Sequence, residues 1–175
     1  MTSALPIRAA AVAAALLLGS AAWAKDAPGQ AFITQAIQGN LAEVSLGKLA
    51  QEKASRDDVK SFGQMLEQDH TSANQQAEAA ASAMNVPPPT GPNARQKAAY
   101  DRLSKLSGAA FDRRFVQLMV ADHRRHVAEY QKEAKRSDGQ VSDYAKATLP
   151  TLQNHLQTAQ SLAQKATTGS GSKNK

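Results

Sequence analysis

The sequence has 175 residues, with 21 lysines and arginines against 15 acids and a formal charge of +6. That length suits one domain with a buried core and is too short for two ordinary ones. Cysteine is absent, which excludes disulfides, thiolate metal sites and thiol nucleophiles, and the basic residues are dispersed without an aromatic-lined stripe, which argues against nucleic-acid binding.

Met1 to Ala24 combines Arg8, an apolar run from Ala9 to Leu18, and Ala22-Trp23-Ala24, the small-x-small form of a signal-peptidase site. The apolar run falls short of the roughly 20 residues that a membrane span needs. The expectation is a cleaved signal peptide at 1–24, export to the periplasm, and a mature chain from Lys25 with no transmembrane segment. Residues 25–166 would form the domain and 167–175 a polar tail.

Ala31 to Ala54 reads as helix, with Phe32, Ile33, Ala36, Ile37, Val44 and Leu46 on its apolar side and Glu43 near the centre of that side. A carboxylate buried there needs a cation or hydrogen-bond donors. Gly39 and Gly47 flank it by about a turn and point to close helix approach. Ser55-Arg56-Asp57-Asp58 has the form of a serine N-cap followed by an acid three residues on, opening a second helix from Arg56 to Met84. Its stripe of Val59, Gly63, Leu66, His70, Ala73, Ala77 and Met84 sets an imidazole where an apolar residue is expected.

Asn85 to Asn93 carries Pro87-Pro88-Pro89 and Pro92 and must be extended. A short helix from Ala94 to Leu106 follows. Together they are long enough to travel the length of a helix, which permits parallel flanking helices and a one-crossover topology. The third long helix, Ala109 to Arg136, turns Asp112, Val116, Met119, His123, Val127, Tyr130 and Ala134 inward. Asp112 reads as an acid complementing its own helix start, and Arg124-Arg125-His126 as a solvated basic rim. After a turn at Ser137-Asp138-Gly139, Gln140 to Ala166 forms the last helix, with Val141, Tyr144, Thr148, Leu152, His155, Ala159 and Leu162 inward and Pro150 inside it.

In an antiparallel hairpin, residues equally far from the turn lie at equal height. Glu43 and His70 are nearly equidistant from the Ser55 turn, as His123 and His155 are from the Asp138 turn. The predicted fold class is therefore all-α, a four-helix up-and-down, ferritin-like bundle with one long Pro-rich crossover bearing a short extra helix. Its middle would hold Glu43, His70, His123 and His155 as a metal site for a divalent transition ion such as Zn, Fe, Mn, Ni or Cu. Asp69 and Asp122 point about 100° away from the neighbouring histidines and could act only at the helix surface or as supporting partners through an adjacent helix. The same four residues could instead form a metal-free buried network, with Glu43 accepting hydrogen bonds from the imidazoles and fixing helix alignment. Glu67-x-x-His70 occurs once without a counterpart before His123 or His155, so a di-metal carboxylate centre is not expected. Nor is a hydrolytic nucleophile turn visible.

Several of these pieces resemble a known family of exported bacterial proteins, the domain-of-unknown-function 4142 family. They are Phe32 with Gly39-Asn40-Leu41-Ala42-Glu43, Val59-Lys60-Ser61-Phe62 leading to Asp69-His70-Thr71, Phe111-Asp112 and Asp122-His123, and Leu149-Pro150-Thr151-Leu152 with His155-Leu156. The resemblance implies a ferritin-like four-helix fold and export, with no assigned activity. The functional expectation is metal binding in the envelope for storage, buffering or stress protection. The rival is a structural or interaction protein with a metal-free cluster. No protein partner is specified, and a second copy of the chain is compatible.

Overall fold

The computed structural model describes residues 29–136 and 139–168, with side chains through residue 165. The expected leader, the Ser137-Asp138 part of the turn and the tail from residue 169 lie outside the described residues. The described residues form five helices, α1 Gln30–Lys53, α2 Asp57–Ala83, α3 Ala94–Ser104, α4 Gly108–Ala134 and α5 Gly139–Thr168, and include no strand. None of these helices is long and apolar enough to cross a membrane.

The helices start by different devices. Gly29 precedes α1 at φ 87°, a left-handed conformation that glycine adopts without a Cβ penalty. Ser55 does not cap α2, whose N-cap is Arg56 without a side-chain cap of its own. The acceptor comes from α4 instead. Asp112 Oδ1 accepts from the Ser55 N–H at 3.0 Å, and Asp112 Oδ2 accepts from the Ser55 hydroxyl and from the Arg56 N–H at 3.2 Å. Asp112 thus serves the start of α2 rather than of its own helix, because its carboxylate meets three donors there. At α3 the Asn93 side chain accepts from the Gln96 N–H at 3.0 Å and the Gln96 side chain accepts from the Asn93 N–H at 2.8 Å, a complete capping box.

These end contacts fix helix direction. Asp112 near the start of α4 touches the start of α2, so the two helices begin at one end of the molecule. Arg56 also donates to the Leu162 carbonyl, which brings the far part of α5 to that same end. The segment from Met84 to Ser107, with α3 in it, therefore travels back along the molecule before α4 begins. Side by side, α1 packs on α2, α2 on α5, α5 on α4 and α4 on α1, while α3 lies against α1 and α4.

α1 and α2 cross at close range. A Cβ on Gly47 would stand 2.5 Å from the Gly63 carbonyl oxygen, and one on Gly63 would stand 2.7 Å from the Gly47 carbonyl oxygen and 2.8 Å from Ala50 Cβ. Gly39 has ordinary room, its nearest neighbour being His126 at 3.8 Å, so of the two glycines beside Glu43 only Gly47 lies at a close crossing. Alanine at position 63 gains about 1 kcal/mol of helix propensity but must push two backbones apart, an overpacking cost of about 1–3 kcal/mol. We expect Gly63→Ala to lose about 1 kcal/mol net in urea denaturation; a more stable variant would contradict the tight crossing.

Apolar burial falls into two separate cores. One gathers Leu46, Leu49, Phe62, Leu66, Phe111, Phe115, Met119 and Leu162 with their neighbours. The other gathers Ile33, Ile37, Ala77, Tyr130, Val141, Tyr144 and Leu152 with theirs. Along each of the four long helices the polar residues at 40 and 43, 70, 123 and 155 fall between the two sets, so a polar layer divides the interior.

Candidate metal centre

His70 lies on α2, His123 on α4 and His155 on α5, with 3%, 0% and 0% of their surface exposed. Their ring centroids form a near-equilateral triangle, with 5.7 Å from His70 to His123 and 5.3 Å from each of them to His155. One ligand nitrogen from each ring lies within 4.8 Å of the other two.

Each ring is held from behind by an acceptor. His70 Nδ1 is 2.9 Å from Asn40 Oδ1, His123 Nδ1 is 3.0 Å from the Met119 carbonyl oxygen, and His155 Nε2 is 2.8 Å from Asp69 Oδ2. An amide oxygen, a backbone carbonyl and a carboxylate can only accept, so each of those ring nitrogens carries the proton. The opposite nitrogens are then bare lone pairs. They are His70 Nε2, His123 Nε2 and His155 Nδ1, all buried and without a hydrogen-bond partner. Outward N–H groups anchored on carbonyl or carboxylate oxygens are the arrangement that orients metal-ligating imidazoles.

Electrostatics keeps the rings neutral. Burial, together with the neighbouring His123, His155 and His126, holds His70 well below the ordinary histidine range. Burial, then His126 and His155, pushes His123 down to about 3. His155 is also lowered by burial, partly offset by the Asp69 carboxylate. Neutral imidazole is the ligand form, so the rings are ready for a cation without first losing a proton.

The arrangement partly differs from the expected set of four. The three histidines converge, and Asp69 reaches the histidine of an adjacent helix as its direction allowed. Glu43 is 2% exposed but stands outside the three-nitrogen group. Its Oε2 has no hydrogen-bond partner, and burial, then Asp122, push its pKa up to about 8 against a lowering effect of Arg125. Glu43 faces a void of about 20 Å³ shared with Gln96, Asp122, Arg125 and His126. His126 is not part of a solvated rim. It is half-buried, its ring centroid is 6.0 Å from that of His123, and burial and Arg125 lower it to about 4. The reason is α3, which lies over this part of α1 and α4.

One participant had no expected role. Asn40 gives its Oδ1 to His70 and its Nδ2–H to the Tyr144 hydroxyl at 3.0 Å, and the Tyr144 and Tyr130 hydroxyls are 3.1 Å apart. A buried chain of hydrogen bonds therefore ties His70 to two tyrosines of the neighbouring core. Asn40 sits one turn before Glu43 on the same helix face, and that periodicity is the signal by which it could have been found.

Comparison with solved structures gives a fold match to a crystal structure of a DUF305 fragment from Deinococcus radiodurans. It is 18% identical, covers 79% of this chain and 97% of that one, and has a TM-score of 0.67. At that identity the likeness concerns the fold alone. No curated protein matches the sequence. The residues that carry the buried histidines fall inside the stretch 17–162 matched by the family described as Domain of unknown function (DUF4142), and the chain belongs to that family.

Proposed function

We propose that the protein binds one divalent transition-metal ion through His70, His123 and His155. The carrying observation is a set of three buried imidazoles that each offer a ligand nitrogen within 4.8 Å of the other two, each ring having one nitrogen anchored and the other buried without a partner. Without a cation the centre holds three acceptors and no donor, and each unsatisfied buried acceptor costs about 1–3 kcal/mol. One metal ion satisfies all three. The rival Glu/His network lacks support, since Glu43 Oε2 and the three nitrogens are left without partners. Three imidazoles at about 2.0–2.1 Å from the ion leave a fourth position open, a donor set suited to Zn or Cu and acceptable to Fe, Mn or Ni. Glu43, the fourth ligand expected from sequence, would have to move into the group to join it.

The same reading places the centre in a four-helix up-and-down bundle of ferritin-like connectivity, spanning residues 25–166, with α3 on the crossover. Helix direction and side-by-side packing support it. It also takes the protein as exported to the periplasm by the 1–24 leader, with metal storage, buffering or stress protection in the envelope as its role. No catalytic residue is proposed.

Protein purified from the periplasm without a histidine tag should carry, or take up on addition of Zn, Cu, Fe, Mn or Ni, one ion per chain by elemental analysis. Free metal at a thousandfold excess over Kd should stabilise it by about 4 kcal/mol. His70→Ala with His123→Ala should abolish both effects, and Asp69→Asn should weaken affinity by about tenfold or more. Absence of stoichiometric metal together with no thermal shift from any of the five ions would end the proposal.

A further inference from the structure

A cavity of about 580 Å³ opens between α1, α3 and α4. Four arginines line it, Arg95 and Arg102 on α3 and Arg114 and Arg125 on α4. Arg125 is engaged, 3.0 Å from Asp122 and 3.8 Å from Glu129. Those two are the acids of the cavity wall. Arg95, Arg102 and Arg114 have no ion-pair or hydrogen-bond partner among the described residues. The wall therefore carries uncompensated positive charge, which repels a bare divalent cation and concentrates anions. His70 also belongs to the lining, so the cavity extends inward as far as α2.

The cavity shape narrows the ligand. Its volume lies in the range of small-molecule sites, about 300–1,000 Å³, and exceeds what one inorganic oxyanion fills. Arg95 and Arg102 are seven residues apart on one helix, about 10 Å of rise and close to two full turns, so they share a face but cannot both centre on one small ion. Because α3 runs opposite to α4, Arg114 faces the Arg102 end. Between these charges the wall has apolar surface from Phe32, Ala36, Leu118 and Tyr130. Guanidinium groups favour bidentate pairing with carboxylates. We propose that this cavity is a binding site for a small organic polycarboxylate, with Arg95, Arg102 and Arg114 holding separate carboxylate groups and the apolar wall holding the carbon skeleton. The assignment is independent of the metal reading, since none of these arginines belongs to the histidine group.

Calorimetric titration of the chelator-stripped full chain with propane-1,2,3-tricarboxylate, a weak chelator, tests it. The expected result is saturable binding of one molecule per chain, weakened at least tenfold in the triple variant Arg95→Gln, Arg102→Gln, Arg114→Gln. All three side chains are exposed, so this variant should keep the wild-type circular dichroism and thermal transition. A charge-matched control, Lys60→Gln, Lys132→Gln, Lys146→Gln, should bind as wild type. Inorganic phosphate should bind at least tenfold more weakly than the tricarboxylate. No saturable binding, equal loss in the lysine control, or phosphate binding as tight as the tricarboxylate would each overturn the assignment.

Discussion

Glu43→Gln is expected to stabilise the folded protein by about 3 kcal/mol at pH 7, although the buried side chain stays polar. The cause is linkage. Burial and Asp122 raise the Glu43 carboxyl from 4.5 to about 8 in the folded state, so between those values the unfolded chain releases a proton that the folded chain keeps. Stability then falls as pH rises, by about 1.4 kcal/mol per unit. Glutamine keeps the shape and has no proton to lose. The gain should vanish at pH 4.5 and below, where the carboxyl is neutral in both states, and grow up to pH 8. The histidines act with the opposite sign. Their folded values are depressed, so in metal-free protein stability is lost as pH falls below 6.5. The wild-type curve should peak near pH 6.5, and in Glu43→Gln the alkaline limb should flatten. Urea denaturation across pH 4–8 reads both. A parallel offset between the two proteins at every pH would refute the shifted carboxyl.

Asp112→Ala is expected to cost about 3 kcal/mol at neutral pH. The carboxylate is 3% exposed and accepts from the Ser55 N–H, the Ser55 hydroxyl and the Arg56 N–H. Hydrogen bonds to a charged acceptor contribute about 1.5–3 kcal/mol each, reduced here because Ser55 is exposed and water can replace part of the loss. Asp57→Ala, at an exposed first-turn acid of α2, should cost no more than about 0.5 kcal/mol through the helix dipole. Equal losses at the two positions, measured by chemical denaturation, would show that Asp112 does not hold the start of α2.

Helix periodicity carried most of what was legible. The boundaries of α1, α2, α4 and α5 follow from the apolar stripes, and the meeting of His70, His123 and His155 follows from their distance to each turn, because helical rise converts residue counts directly into height. Rotation about a helix axis is less well determined. Glu43 is buried as expected, yet it lines a small void with residues of α3 and α4 and lies outside the three-nitrogen group. A two-helix argument contains no information about where α3 will lie, which is why the burial of His126 and the arginine cavity were also missed. Long-range side-chain acceptors leave no local trace either. Ser55 followed by Asp58 has the spacing of a local cap, but the acceptor lies 57 residues away in Asp112. The Asn93/Gln96 box, by contrast, is local and has a spacing from which it could have been expected, although it was not.

The division of the interior into two apolar cores has a consequence for cooperativity. Every long helix passes through both, and the layer between them contains buried ring nitrogens with no hydrogen-bond partner beside the Asn40–His70 and Asp69–His155 contacts that cross it. A metal ion bonded to His70, His123 and His155 would add a direct link among α2, α4 and α5 at that height. Occupancy of the centre would then be felt at both ends of the protein, some distance from any residue that touches it.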